Sequence, residues 1–242
     1  MVVHLSGSMI TSNTRNTTSK ALNSSTVKAW KINKLRNICG MSTKMGKKCG
    51  LALILIIITS CGVSNVVIDG SFPTPNIGKL PVSVAVIYDD ALREFVFMEY
   101  TETGEEEFNI EIGGSHIQLF NAVLPAMFDE VVFVNTIEEA QATGTDAIFV
   151  PVINEFQLGL PAKTKLNFCE VWVEYNMRLL TTDGDYIADW IVTSYGRTPN
   201  EAFRSTEAAI NDAAVIALRS LASNFSLNFD QVPEVRTWLS NL

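Results

Sequence analysis

The chain has 242 residues, 47% of them hydrophobic and 18% charged, with a formal net charge of −8; this is material for one ordinary domain and excludes a chain disordered throughout. No apolar run approaches the roughly 20 residues of a bilayer-spanning helix, which excludes a multi-span membrane protein. Charge is divided unevenly: nine of the 18 Lys and Arg residues lie at or before Lys48 and all 26 Asp and Glu residues at or after Asp69, so beyond residue 60 there are 9 basic against 26 acidic residues, a net of −17. An acidic surface of that size repels nucleic acid and anionic membrane, and neither is an expected direct partner of the second part.

Residues 45–61 read MGKKCGLALILIIITSC, in which Lys47 and Lys48 precede an apolar run over 51–58 that closes on Thr59, Ser60 and Cys61. The run falls within the roughly 7–15 residues of a signal-peptide core, which predicts a secretion signal over 45–60 cleaved between Ser60 and Cys61. Ile58-Thr59-Ser60-Cys61 resembles the lipobox of bacterial lipoproteins. That resemblance implies that Cys61 becomes the lipidated first residue of a mature chain, carrying diacylglycerol and fatty acyl groups such as palmitate; an ordinary signal peptide with a chance cysteine is the opposing reading. Several acyl chains, at roughly 0.8 kcal/mol per buried methylene, anchor far more firmly than one myristoyl group. Gly62 after the cysteine resembles the forward-sorted class, which implies an outer-membrane location facing the periplasm. Residues 1–44 are rich in Ser, Thr and Asn and have no acidic residue. They read as a mis-assigned or disordered extension with the true start at Met45 or Met41, and an organellar transit peptide is the rival reading. Cys39 and Cys49 leave with the leader and Cys61 is acylated, so Cys169 remains alone and no intramolecular disulfide is expected.

In the mature chain, residues 61–78 combine glycine, proline and small polar residues without a sustained period, as a flexible tether would, and a single domain is expected over 79–242. Val82, Val84, Val86 and Tyr88 alternate along a strand over 80–88. Residues 95–101 and 107–112 form a second pair of strands around Thr103-Gly104. Gly113-Gly114-Ser115 opens a helix, with Ser115 and Gln118 at capping-box spacing, and Pro125 predicts a kink or an early end. A strand over 131–135, a short helix over 137–142 and a long strand over 146–160 follow, with Pro151 implying an edge or bulge. The clearest local pattern is a hairpin, 167–182 with 185–196, around Asp183-Gly184. A two-residue loop makes partners sum to 367: Arg178 faces Asp189, Leu180 faces Ile187, Met177 faces Trp190, Tyr175 faces Val192 and Trp172 faces Tyr195. One hairpin face, with Cys169, Val171, Val173, Tyr175, Met177, Leu179, Ala188, Trp190 and Val192, is the expected core. The other, with Glu170, Trp172, Glu174, Asn176, Arg178, Asp189 and Tyr195, is polar with aromatic islands. Thr198-Pro199-Asn200-Glu201 reads as a capped helix start, predicting a helix over 199–224 whose stripe of Phe203, Thr206, Ile210, Ala213, Ala217 and Leu221 permits close approach to a sheet. A short helix over 232–239 ends the chain.

The mature chain offers one histidine, His116, and one unmodified cysteine, Cys169. Alternation puts Cys169 on the core face as a structural thiol, and His116 is expected on the surface in a helix's first turn. There is no phosphate-binding glycine loop, zinc-ligand spacing or HExxH, so no catalytic residue, metal or cofactor is assigned and the protein is read as not an enzyme. Glu170 and Glu174 share a strand face, but four residues span roughly 13 Å of backbone, beyond the roughly 5–9.5 Å between glycosidase carboxyl groups. Trp172 and Tyr195, flanked by Glu170 and Glu174, are the candidate partner surface, since aromatic side chains on a polar face are common interface anchors. Packing beneath the tether, the terminal tail or another helix is the competing explanation of that pair.

The order strand, helix, strand, three long antiparallel strands and an alanine-rich C-terminal helix, behind a lipobox, resembles small envelope lipoproteins. The stretch 171–222, with TTDGDYIADWIVTSYG before a long helix, resembles the YajG-like family and, more loosely, auxiliary lipoproteins of envelope transporters and the N-terminal part of TolB. The expected fold is α+β, a mixed or antiparallel twisted sheet with two main helices packed on one face. Two functions follow: a lipid-anchored, non-catalytic adaptor that binds another envelope protein, or a module binding a hydrophobic ligand such as a lipid. The second needs a continuous apolar cavity and the first a filled core.

Overall fold

The computed structural model describes residues 62–201 and 204–242. The leader readings on 1–60, Cys61 and the stripe residue Phe203 lie outside the described residues. In chain order the elements are β1 Ser64–Val67, β2 Leu80–Ile87, α1 Asp90–Arg93, β3 Val96–Tyr100, β4 Glu106–Glu111, α2 Gly113–Met127 and β5 Phe128–Val134. Then come α3 Ile137–Thr143, β6 Ala147–Gly159, α4 Pro161–Thr164, β7 Phe168–Leu180, β8 Tyr186–Pro199, α5 Thr206–Asn228, a 3-10 turn Phe229–Gln231 and α6 Pro233–Leu239.

The fold is mixed α+β. A five-stranded sheet runs β5-β2-β6-β7-β8, with β2 parallel to both β5 and β6 and antiparallel pairing from β6 to β8. A three-stranded sheet runs β1-β4-β3, with β1 parallel and β3 antiparallel to β4. The two main helices, α2 and α5, lie on the inner face of the large sheet. There Phe120 of α2 sits 5.8 Å from the Tyr175 ring and 6.2 Å from Phe225 of α5, centroid to centroid. The alternating residues Cys169, Val171, Val173, Tyr175, Met177 and Leu179 are all buried in that core. The outer face is covered only in part: α3 seals a small second core of Ala85, Ile87, Ala140, Ile148 and Leu180 over the β2–β6 side.

The alanine stripe performs the expected role. Ile210, Ala213, Ala217 and Leu221 are fully buried, and α5 comes so close to β8 that its backbone at Ala213 and Ala217 lies directly over Gly196. The helix nevertheless starts later than 199: β8 runs through Thr198, paired with Cys169, to Pro199, paired with Phe168. The true cap is Ser205, whose Oγ accepts from the Ala208 amide at 3.2 Å. The register sum of 367 holds from Trp172–Tyr195 to Leu179–Ala188, but a bulge then pairs Leu180 with Tyr186, not Ile187. Pro151 sits on an inner strand at a point where only β7 pairs it, because β2 leaves β6 after Phe149. Its missing donor therefore breaks no ladder bond on the open side. Helix α2 continues through Pro125 and ends at Met127. It has no capping box: Ser115 Oγ instead donates to the Ile68 carbonyl at 2.6 Å.

The segment 61–78, expected as a flexible tether, is instead packed against the domain from Ser64 onward. Its residues 64–67 form β1 and pair with Phe108, Asn109, Ile110 and Glu111, while Val66 and Ile68 enter the core. Beyond β1, the Asp69 amide donates to Asn211 Oδ1 at 2.8 Å and Arg219 donates to the Ser71 carbonyl at 2.8 Å, strapping the chain across α5. The packed body begins at Ser64, not near Lys79.

Candidate functional site

The strand period of two that buries Tyr175 and Val173 turns Trp172 and Glu174 to the opposite side. On β8 it turns Tyr195 outward while Ser194 and Gly196 face α5. Trp172 and Tyr195 are directly paired across the strands, with ring centroids 4.7 Å apart and an interplanar angle of 40°. Trp172 keeps 41% of its surface exposed, because α3 ends on the other side of the outer face. Tyr195 Oη donates to Glu170 Oε1 at 2.7 Å. Partial desolvation and the Glu170 carboxylate push the Tyr195 phenol pKa up, with Arg197 opposing, so the hydroxyl stays protonated and donating at neutral pH. Glu170 is thereby buried and held, whereas Glu174 meets only Asn154 Nδ2 at 3.4 Å. Glu155, Gln157, Trp172, Glu174 and Thr193 surround a shallow depression of about 160 Å³. The arrangement offers a fixed aromatic platform ringed by hydrogen-bond acceptors, which is chemistry for recognition. Ser60 and Cys61, the expected cleavage and lipidation residues, lie outside the described residues.

Neither a protein-family model nor a curated protein sequence matches the chain. Solved structures do share parts of its shape. A DUF330-family protein from Xanthomonas campestris is similar over 74% of this chain and 100% of its own, at 11% identity and a TM-score of 0.46. A minor lipoprotein from Acinetobacter baumannii is similar over 64% of this chain and 94% of its own, at 12% identity and a TM-score of 0.36. A lipoprotein from Neisseria meningitidis is similar over 59% of this chain and 99% of its own, at 12% identity and a TM-score of 0.28. Each is a partial likeness at low identity, and no functional residue is carried across from it.

His116 is the residue that sequence reasoning misplaced. It is fully buried, its ring 6.0 Å from Phe95 and 5.4 Å edge-on from Tyr175. Both ring nitrogens lack a hydrogen-bond partner, as does the Tyr175 hydroxyl. Burial lowers the His116 pKa to about 3, opposed only by the Leu92 backbone, which stays outside hydrogen-bond geometry. A signal for this was present: His116, Leu119, Phe120, Val123 and Met127 share one helical face. Cys169 is buried and its thiol pKa is raised by desolvation, far from the conditions of a reactive thiolate. Cys169 is therefore expected to resist an aromatic disulfide reagent in the native mature chain and to react once unfolded; fast native labelling would refute that. Among the described residues no group of three or more His, Cys, Asp or Glu is placed to hold a metal ion.

Proposed function

We propose that the protein is a lipid-anchored, periplasm-facing adaptor of the cell envelope that binds a protein partner through the outer face of its large sheet. The observation that carries this reading is the tilted Trp172–Tyr195 pair, left uncovered where α3 does not reach, with Tyr195 held by Glu170. Anchorage rests on the leader ending at Cys61 and its lipobox resemblance. The space between sheet and helices, where a lipid ligand would sit, is occupied by Tyr175, Phe120, Phe149 and Phe225, each at most 2% exposed. The groove of about 650 Å³ beside α2 is open and carries Asp69, Arg93, Glu94 and Glu111. A filled interior favours the adaptor over the lipid-binding module.

Two measurements on cells expressing the full chain test the proposal. Radiolabelled palmitate is expected to mark the wild type and not Cys61→Ser, which should leave the membrane fraction. Crosslinking with mass spectrometry is expected to capture one envelope protein, and Trp172→Ala should weaken that interaction about thirtyfold, as for a hot-spot residue worth about 2 kcal/mol, with the thermal midpoint unchanged. Undiminished capture by Trp172→Ala and Tyr195→Ala removes this face as the adaptor surface.

A further inference from the structure

Only Gly62 and Val63 separate Cys61 from Ser64, the first residue of β1. At roughly 3.6 Å per extended residue, the Ser64 backbone lies at most about 11 Å from that of Cys61. β1 is held against lengthening this link. All four of its residues pair with β4, Val66 is buried, and Ser64 Oγ donates to Glu207 Oε1 at 3.1 Å at the start of α5. We infer, on the reading that Cys61 carries the lipid, that the domain stands directly on the bilayer with one fixed end down. That end is formed by the start of β1, the turn after β3, the α4–β7 loop and the start of α5, and what it faces is a phospholipid headgroup surface.

Separate contacts place these parts together. Ser64 pairs with Phe108, which pairs with Glu99 near the end of β3. Lys163 of α4 bonds both Glu99 and the Tyr100 carbonyl. Phe168 pairs with Pro199, and the Asn200 amide donates to the Asn167 carbonyl at 3.1 Å, joining the start of β7 to the chain that leads into α5. The end exposes Val63 (39%), Tyr100 (44%) and Leu166 (51%), with Lys163 and Lys165 alongside. Tyrosine, apolar side chains and lysines with long stems are groups that settle at headgroup depth. Glu102, Glu105, Glu106 and Glu207 share the same end, so the acyl anchor, and not attraction to anionic lipid, holds it there.

The consequence is a fixed height for everything else. β7 spans 13 residues, so the Asp183–Gly184 turn stands roughly 40 Å from the anchored end, whereas Trp172, four residues beyond Phe168, lies about 13 Å from it. A partner that meets Trp172 and Tyr195 is thus itself in or against the membrane.

The test uses the full chain processed in a bacterial host, carrying Leu166→Cys, Thr103→Cys or Asp183→Cys. Each is labelled with bimane and reconstituted in phosphatidylethanolamine–phosphatidylglycerol vesicles that contain a headgroup spin label. Quenching is expected to be at least threefold stronger at positions 166 and 103 than at 183. Equal quenching at all three, or stronger quenching at 183, overturns the orientation. Vesicle flotation of the same samples separates the two failures: a chain that does not float removes the lipid-anchor reading and the orientation with it, whereas a floating chain with the reversed pattern removes the orientation alone.

Discussion

Gly196→Ala is expected to destabilise the domain by about 3 kcal/mol or more, which for a body of this size lowers the thermal midpoint by roughly 6–12 °C. A Cβ at this position would fall closer than 3.0 Å to the carbonyl oxygen of Ala213 and the amide nitrogen of Ala217. Both are backbone atoms inside α5, so no side-chain rotation relieves the clash. Either α5 must lift from β8 or β8 must bend away from β7. The first loosens the burial of Ile210, Ala214 and Leu221, and the second breaks the Val171–Gly196 pairing. Gly114→Ala is the control: nothing lies within 4 Å of its Cβ and the residue is in the first turn of α2, so a neutral or stabilising change of up to about 1 kcal/mol is expected from reduced chain entropy. Thermal and urea unfolding of both variants decide the matter, and a wild-type midpoint for Gly196→Ala would contradict the close packing of α5 on β8.

The same glycine shows which parts of the fold local sequence encodes. The hairpin was legible because period-two alternation and Asp183-Gly184 both act between near neighbours, and its register failed only where the bulge between Leu179 and Leu180 shifts one strand. The start of α5 was misread because Thr198-Pro199-Asn200-Glu201 carries a valid local cap, yet pairing of Thr198 with Cys169 keeps that stretch in β8. Pro199 is tolerated as the terminal residue of an edge strand. β1 was hidden for a different reason: its partner, 108–111, lies over 40 residues away, and a four-residue SNVV strand among glycines and prolines has no local signature. For the candidate surface, alternation showed that Trp172 and Tyr195 share a face. That this face is uncovered follows only from the reach of α3, which stops over Ile148 and Leu180.

His116 is expected to make the domain acid-sensitive in a window that no carboxylate explains. Its unfolded pKa is near 6.5 and its folded pKa about 3, so the folded state binds the proton less tightly. Stability is then fully present above pH 6.5 and falls by about 1.4 kcal/mol per pH unit below it, continuing toward pH 3. Between pH 6.5 and 4.5 the expected loss is about 2–3 kcal/mol. Asp146 and Glu207 also have lowered pKa values, from the Ser83 amide and hydroxyl in one case and chiefly from its own backbone amide in the other. Their contributions are present above the ordinary carboxylate range and are lost below about pH 4, outside the window. His116→Phe removes two unpaired buried nitrogens while keeping a ring between Phe95 and Tyr175, so its stability at pH 7 should equal or exceed that of the wild type. His116→Leu guards against overpacking by the larger ring. Urea unfolding at half-unit steps from pH 7 to 4.5 should give a falling curve for the wild type and a nearly flat one for both variants. Parallel curves would show that the His116 ring is reached by water in the folded protein and is not the dry core histidine described above.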